Sequence, residues 1–265
     1  MEAGDRPVNP AAGSLRILYA WPFPLLIAIA LGAGMPFLSS ACAVLAGRLF
    51  RAPIERGFNL PFLYVQHGFQ LLFALAAITI LKRPVPADYG LHWPRGKTYI
   101  GPAVLWGIFF GFLMTVVGFA PQILAHKAPE LDYPLTARNM LGWLTFEGVY
   151  VGPTEEIPFR ALLVTYLAKT MPPGRARLGG YEMHQAGVVV ALIFALAHAN
   201  TFLTSPWPLA LAQQLWAFAL GVLYAYWLEK SGSIVASAIA HNVGDGVAYV
   251  LMYLWVGLAP NTPTG

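Results

Sequence analysis

Residues 139–170 read NMLGWLTFEGVYVGPTEEIPFRALLVTYLAKT. Most of this run suits lipid, yet its middle holds Glu155, Glu156 and Arg160. An ionisable group at the centre of a bilayer costs about 2.5–3.5 kcal/mol even on the gentlest insertion scale, so such groups are rare and mark function. The rest of the chain reads as a membrane frame around these residues and as a source of partners for them.

The sequence has 265 residues, 57% hydrophobic and 11% charged. A soluble domain carries about 25% charged residues. The chain therefore reads as an all-α, polytopic transmembrane helical bundle. It is one membrane domain, 16–265, behind a disordered tail at 1–15 with a motif-bearing core at 139–258. The net charge of +4 is no signal for nucleic acid, because the cations sit in short loops between apolar runs. A single cysteine, Cys42, excludes an internal disulfide and a cysteine-ligated metal site.

Seven apolar runs are long enough to span: 17–47, 58–81, 98–124, 139–170, 185–202, 207–228 and 234–258. Each exceeds or approaches the ~20 residues that a spanning helix needs. A re-entrant first run or a broken fourth would make the count eight. Residues 17–47 follow Arg6 and Arg16, as in a signal peptide, but the apolar core is too long for one and reads as a retained span. With seven spans, Arg6, Arg16, Lys82, Arg83, Arg95, Lys97, Lys169, Arg175, Arg177 and Lys230 share the amino-terminal side, ten in all. Arg48, Arg51, Arg56, Lys127 and Arg138 fall on the other side, five in all. Ten against five places the amino terminus in the cytoplasm, although the three arginines at 48–56 oppose that orientation. The Ala-, Gly-, Pro- and Trp-rich composition has a prokaryotic cast, so the expected home is a prokaryotic plasma membrane.

Within the runs, Glu156 and Arg160 are four residues apart with the acid first, the favoured order for an ion pair on one helix face. Glu155 lies about 100° round that helix and is the carboxylate left over. Pro158 removes a backbone N–H, and Gly152-Pro153 loosens the turn before the acids. Phe194 and His198 share a face in the fifth run. His241 and Asp245 share one in the seventh, a spacing that suits a His–carboxylate contact or two ligands to one centre. Gly244 and Gly246 permit close helix approach. His198 and Asp245 each lie about 12–13 residues from the cytoplasmic end of their spans, roughly 18–20 Å deep. Glu155 is near the middle of its own helix, so three helices bring ionisable groups to one depth. By contrast, Glu147 reads as an interfacial acid that snorkels, His67 as structural, and Gln213 and Gln214 as packing groups.

Glu155-Glu156-x-x-x-Arg160, Phe194-x-x-x-His198 and His241-x-x-x-Asp245, in this order and each on its own span, resemble the CPBP family of intramembrane proteases. That family comprises the type II CAAX prenyl endopeptidases and the bacteriocin-processing or immunity proteins. The resemblance covers about 139–258. It implies a helical membrane fold with a conical cavity open toward the cytosol. It implies that Glu155 acts with His198 to activate a water, and that His241 and Asp245 lie across the site. Glu156 and Arg160 are then the strut that holds the Glu155 helix in register. The partner is a membrane-associated protein or peptide substrate, prenylated CAAX tails being the best-known class. Two versions stay open: a metalloprotease, with Zn²⁺ held by His198, His241 and one carboxylate, or a glutamate-dependent protease without metal. Other readings of the same residues are an immunity or binding membrane protein and, third, a proton- or metal-coupled transporter. Transporters usually show an internal repeat, and none is found. The oligomeric state is not legible.

Overall fold

In the computed structural model the structure describes residues 22–49, 59–178 and 180–258. The expected amino-terminal tail and most of the arginine-rich 48–56 loop lie outside these residues. Three long helices come first: α1 (Pro22–Leu49), α2 (Leu60–Leu81) and α3 (Ile100–Gly118). A short α4 (Ala120–Leu124) follows α3, so the single run expected over 98–124 breaks at Phe119. The cause is local, because Pro121 removes the N–H that would bond the carbonyl of Val117 and continue the helix.

The 139–170 stretch forms a continuous helix of alternating pitch. It runs through α5 (Ala137–Thr145), a wide π segment (Phe146–Tyr150), α6 (Val151–Glu156), a second π segment (Ile157–Val164) and α7 (Thr165–Thr170). Thr136 caps its start, accepting from the Asn139 N–H. The chain then makes an antiparallel pair, β1 (Arg175–Leu178) with β2 (Tyr181–His184), in the register Arg175–His184 to Leu178–Tyr181. This ribbon qualifies the all-α expectation. It leads directly into α8 (Gln185–Ala197), which His184 caps by accepting the Ala186 N–H on Nδ1. A short α9 (Thr201–Thr204), then α10 (Trp207–Ser231) and α11 (Val235–Leu258), complete the chain. α10 stops at Gly232, whose φ of 68° is costly for other residues.

Among the described residues, five stretches are long and apolar enough to cross a membrane: Pro22–Leu49, Leu60–Leu81, Ile100–Gly118, Gln185–Thr204 and Trp207–Ser231. The protein is an integral, multi-pass helical membrane protein. Large apolar side chains such as Phe37, Leu105 and Phe112 point outward, which costs nothing against lipid tails. The core lies around the second π segment, where Pro158 to Val164 are all buried against Val190 and Phe194 of α8.

Two devices set the site-bearing helices close together. On α3, a Cβ at Gly107 would stand 2.8 Å from the Ala240 carbonyl oxygen, and Gly111 is crowded in the same way by Gly244 and Val247 of α11. Only glycine leaves room for these two backbones to meet. Gly90, in the loop between α2 and α3, has φ of 68°, and its carbonyl accepts from the Ile234 N–H at 3.2 Å. Ser233 donates its hydroxyl to the His92 carbonyl. The loop is thus tied to the start of α11, the helix that carries His241 and Asp245.

Candidate active site

The site is built around His241. Its Nδ1 is 2.9 Å from Glu156 Oε1, and its Nε2 is 3.3 Å from Asp245 Oδ2 and 3.7 Å from Glu155 Oε2. Because a carboxylate only accepts, Nδ1 carries a proton toward Glu156. Nε2 faces two further carboxylates and is a donor whenever the ring carries its second proton. The expected His241–Asp245 contact is therefore present, and a link from His241 to Glu156 joins it.

Glu156 and Arg160 are among the most buried side chains, at 0% and 1% exposure. Arg160 Nη1 lies 3.1 Å from Glu156 Oε1, an ion pair, as the spacing predicts. The guanidinium also stacks 4.2 Å from the Phe194 ring centre and 5.2 Å from that of Tyr224. Glu156 thus lies between two donors, the Arg160 guanidinium and His241 Nδ1. Arg160 couples the helix of residues 137–170 to α8 and α10, and Glu156 couples it to α11.

His198 sits where α8 ends, so the helix expected over 185–202 stops at Ala197, and three residues separate it from Thr201, where α9 begins. Its Nδ1 lies 2.9 Å from the Phe194 carbonyl. A carbonyl cannot donate, so Nδ1 holds the proton and Nε2 is left as a bare acceptor. The His198 carbonyl, freed by the helix end, takes the Gln214 amide at 3.0 Å and the Thr201 hydroxyl at 2.8 Å. Gln214 is thus a brace for His198.

Two prolines leave orphan carbonyls beside the acids, and two side-chain amides bind them. Pro153 cannot donate to Val149, and Asn242 Nδ2 donates there instead at 3.0 Å. Asn242 Oδ1 in turn accepts the Gly152 N–H at 2.7 Å. Pro158 cannot donate to Thr154, and Gln70 Nε2 on α2 donates there at 3.0 Å. Sequence reading missed the roles of Gln70 and Asn242. The only signal available was a proline four residues after each carbonyl.

A cavity of about 350 Å³ joins these groups. Glu155, His198, His241, Asp245 and Tyr224 line it. So do His67 and Glu147, which the sequence assigned to structure and to the interface. Glu147 hydrogen-bonds Tyr249 and faces Asp245, so it belongs to the cavity wall. An apolar groove of about 270 Å³ runs on from the cavity between α3, α10 and α11. Met114, Gln213, Trp216, Ala248 and Tyr249 line both spaces, which makes Gln213 a wall residue more than a packing group.

Residues 137–247 match the family model described as type II CAAX prenyl endopeptidase Rce1-like. The matched segment begins with α5 and ends two residues after Asp245, so it contains every part of the cavity that the three motifs supply. Over residues 137–247 the chain is similar to the CAAX-protease family. No curated protein and no solved structure matches the chain. The CAAX-protease match agrees with the resemblance drawn from Glu155, Glu156, Arg160, Phe194, His198, His241 and Asp245. Among the described residues no three His, Cys, Asp or Glu side chains converge as a metal site. His241, one of the expected Zn²⁺ ligands, has both ring nitrogens turned to carboxylates. The residues as arranged do not fit the His198–His241 metal centre, and no chemical step is assigned to a metal.

Proposed function

We propose that this chain is an intramembrane endopeptidase that hydrolyses a peptide bond of a membrane-associated substrate of the prenylated CAAX class. The observation that carries the reading is one cavity lined by Glu155, by His198, whose Nε2 is a bare acceptor, and by the carboxylate-bound His241.

Peptide hydrolysis needs a base for the attacking water, a donor for the oxyanion and an acid for the leaving amine. Glu155 is the base. It is the one acid of the pair that is not locked to Arg160. The water donates one hydrogen to Glu155 and the other to His198 Nε2. As its oxygen bonds the scissile carbon, its first proton moves to Glu155 and the carbonyl electrons move onto oxygen. His241, protonated on Nε2, donates to that oxyanion. Asp245 and Glu156 hold the imidazole ring in place. When the intermediate collapses, the C–N bond breaks and Glu155 returns its proton to the leaving nitrogen. Glu156 and Arg160 touch no reacting atom. They hold the helix and His241.

The test uses purified protein in detergent and a quenched-fluorescent farnesylated peptide ending in a CAAX sequence. Glu155→Gln keeps the carbonyl and the volume but removes the base. It is expected to unfold at the wild-type temperature and to lose at least about 10³-fold in cleavage rate, within the range for a general base. Full activity in that variant contradicts the reading.

A further inference from the structure

His67, on α2, is buried at 8% exposure and was assigned by sequence to structure. Its Nδ1 stands 3.0 Å from Thr154 Oγ1. The single hydroxyl proton of Thr154 is already directed at backbone carbonyls, Tyr150 at 3.0 Å and Val151 at 2.9 Å. With that proton held by a carbonyl, Thr154 Oγ1 accepts from His67. That fixes the proton on Nδ1 and leaves Nε2 as an acceptor. The Phe146 ring meets the imidazole edge to face at 5.0 Å and 83°, which holds its plane. His67 lines the same cavity as Glu155, His198 and His241.

The cavity thus offers three acceptors on the water side of the reaction: the Glu155 carboxylate, His198 Nε2 and His67 Nε2. At the scissile bond the reactants bring three donors. Two are the hydrogens of the attacking water, matched above to Glu155 and His198. The third is the N–H of the scissile amide. A buried acceptor left without a donor costs about 1–3 kcal/mol, so each acceptor in a working site has its donor.

We propose that His67 is a further catalytic residue of this site, whose Nε2 accepts the N–H of the scissile amide. The inference rests on the hydrolase reading above. In that position His67 fixes the rotation of the leaving nitrogen. When the nitrogen becomes tetrahedral, its new lone pair points away from His67, toward the proton on Glu155. No bond to His67 forms or breaks. The site then requires a secondary amide, so a proline or an N-methylated residue on the leaving side is rejected.

The experiment compares the farnesylated CAAX peptide with its depsipeptide, in which an ester oxygen replaces the scissile N–H. His67→Phe fills the ring space and accepts nothing. It is expected to lower kcat/KM on the amide about 10-fold and to leave kcat/KM on the ester within about 2-fold of wild type, the loss of one neutral hydrogen bond. Equal losses on both substrates, as a structural role would give, overturn the proposal, and so does no loss on the amide. If His67→Phe does not fold, Thr154→Val frees the Nδ1 proton and is read by the same ratio. Glu155→Gln separates the two claims. Activity in that variant sinks the hydrolase reading, whereas an inactive Glu155→Gln beside an unselective His67→Phe sinks only the role of His67. A substrate-free check is the ¹⁵N spectrum of histidine-labelled protein in detergent. A proton on Nδ1 of His67 is expected, and a proton on Nε2 overturns the proposal.

Discussion

Glu156 is the residue on which the site geometry turns, because one buried oxygen holds both Arg160 and His241. Removing one partner of a buried ion pair leaves the other charge uncompensated and costs about 3–5 kcal/mol. Arg160→Ala is therefore expected to lower thermal stability in detergent by an amount of that order. Arg160→Lys does not restore it, since an ammonium lacks the planar face that stacks 4.2 Å from Phe194. Unchanged unfolding of Arg160→Ala would contradict this role. The Glu156–Arg160 and His241–Asp245 pairs were legible in the sequence, since an i, i+4 spacing is a fact of helix geometry. The Glu156–His241 bond was not. It depends on how α11 is rotated against the helix of residues 137–170, where Gly148 meets Gly246 and Gly152 leaves room for Asn242 and the Ala238 carbonyl. His67 was illegible for a related reason: one imidazole in an apolar helix has the same sequence signature whether it packs or works.

At the scale of elements, the helix of residues 137–170 owes its shape to amides on other helices. Gln70→Leu leaves the Thr154 carbonyl without its amide donor and is expected to cost about 1–3 kcal/mol. In a Pro158→Ala background the new N–H at 158 is able to bond that carbonyl, so the same substitution costs less. Equal costs in the two backgrounds, measured by thermal unfolding, would break the link between proline and amide. The pitch change itself was only hinted at by Pro153 and Pro158, because the sequence does not show where the freed carbonyls find donors. The β1–β2 ribbon had a clearer signal. Arg175–Leu178 and Tyr181–His184 flank Gly179-Gly180, a two-glycine hairpin pattern overlooked beside the membrane runs. The loop at 82–99 adds a pH-sensitive tie. Asp88 accepts from the Gly90 N–H at 3.0 Å, which, with help from His92, holds its carboxyl below the ordinary range. His92 donates to the Trp93 carbonyl at 2.8 Å and bonds Asp88 at 2.9 Å, and these lift its imidazole above the ordinary value. The depressed acid stabilises above its unfolded value and loses this as pH falls through the folded one. The raised imidazole stabilises fully below about 6.5 and loses this as pH rises through its folded value. Amide exchange at residues 88–93 is therefore expected to be slowest between about pH 4 and 6.5, relative to the intrinsic rate. Asp88→Asn is expected to flatten that profile. A wild-type profile already flat would contradict it.

For the whole molecule, the apolar groove sets a question of sidedness. It runs from the cavity toward Gly118, Phe119, Leu209 and Met252, the end of the bundle away from the 82–99 loop. The count of lysines and arginines places that loop in the cytoplasm, whereas the family resemblance expects a cavity open to the cytosol. Both cannot hold. On the charge count, a cysteine at Arg95 in a Cys42→Ser background reacts with an impermeant maleimide only after cells are opened. Labelling in intact cells would reverse the orientation and turn the groove to the cytosol. The membrane class was legible from composition alone, since 11% charge cannot cover a soluble surface of this size. The cavity was legible only as matched depth on three helices, and its walls at His67, Glu147 and Gln213 had to be seen in place. The central claim is that Glu155 delivers a water to a peptide carbonyl inside this cavity. It is tested most directly by cleaving the farnesylated CAAX peptide in H₂¹⁸O and weighing the fragment that carries the new carboxylate. The wild-type protein is predicted to place one ¹⁸O in that carboxylate, and Glu155→Gln to yield no fragment above background. Equal ¹⁸O-labelled product from the two proteins would contradict the account.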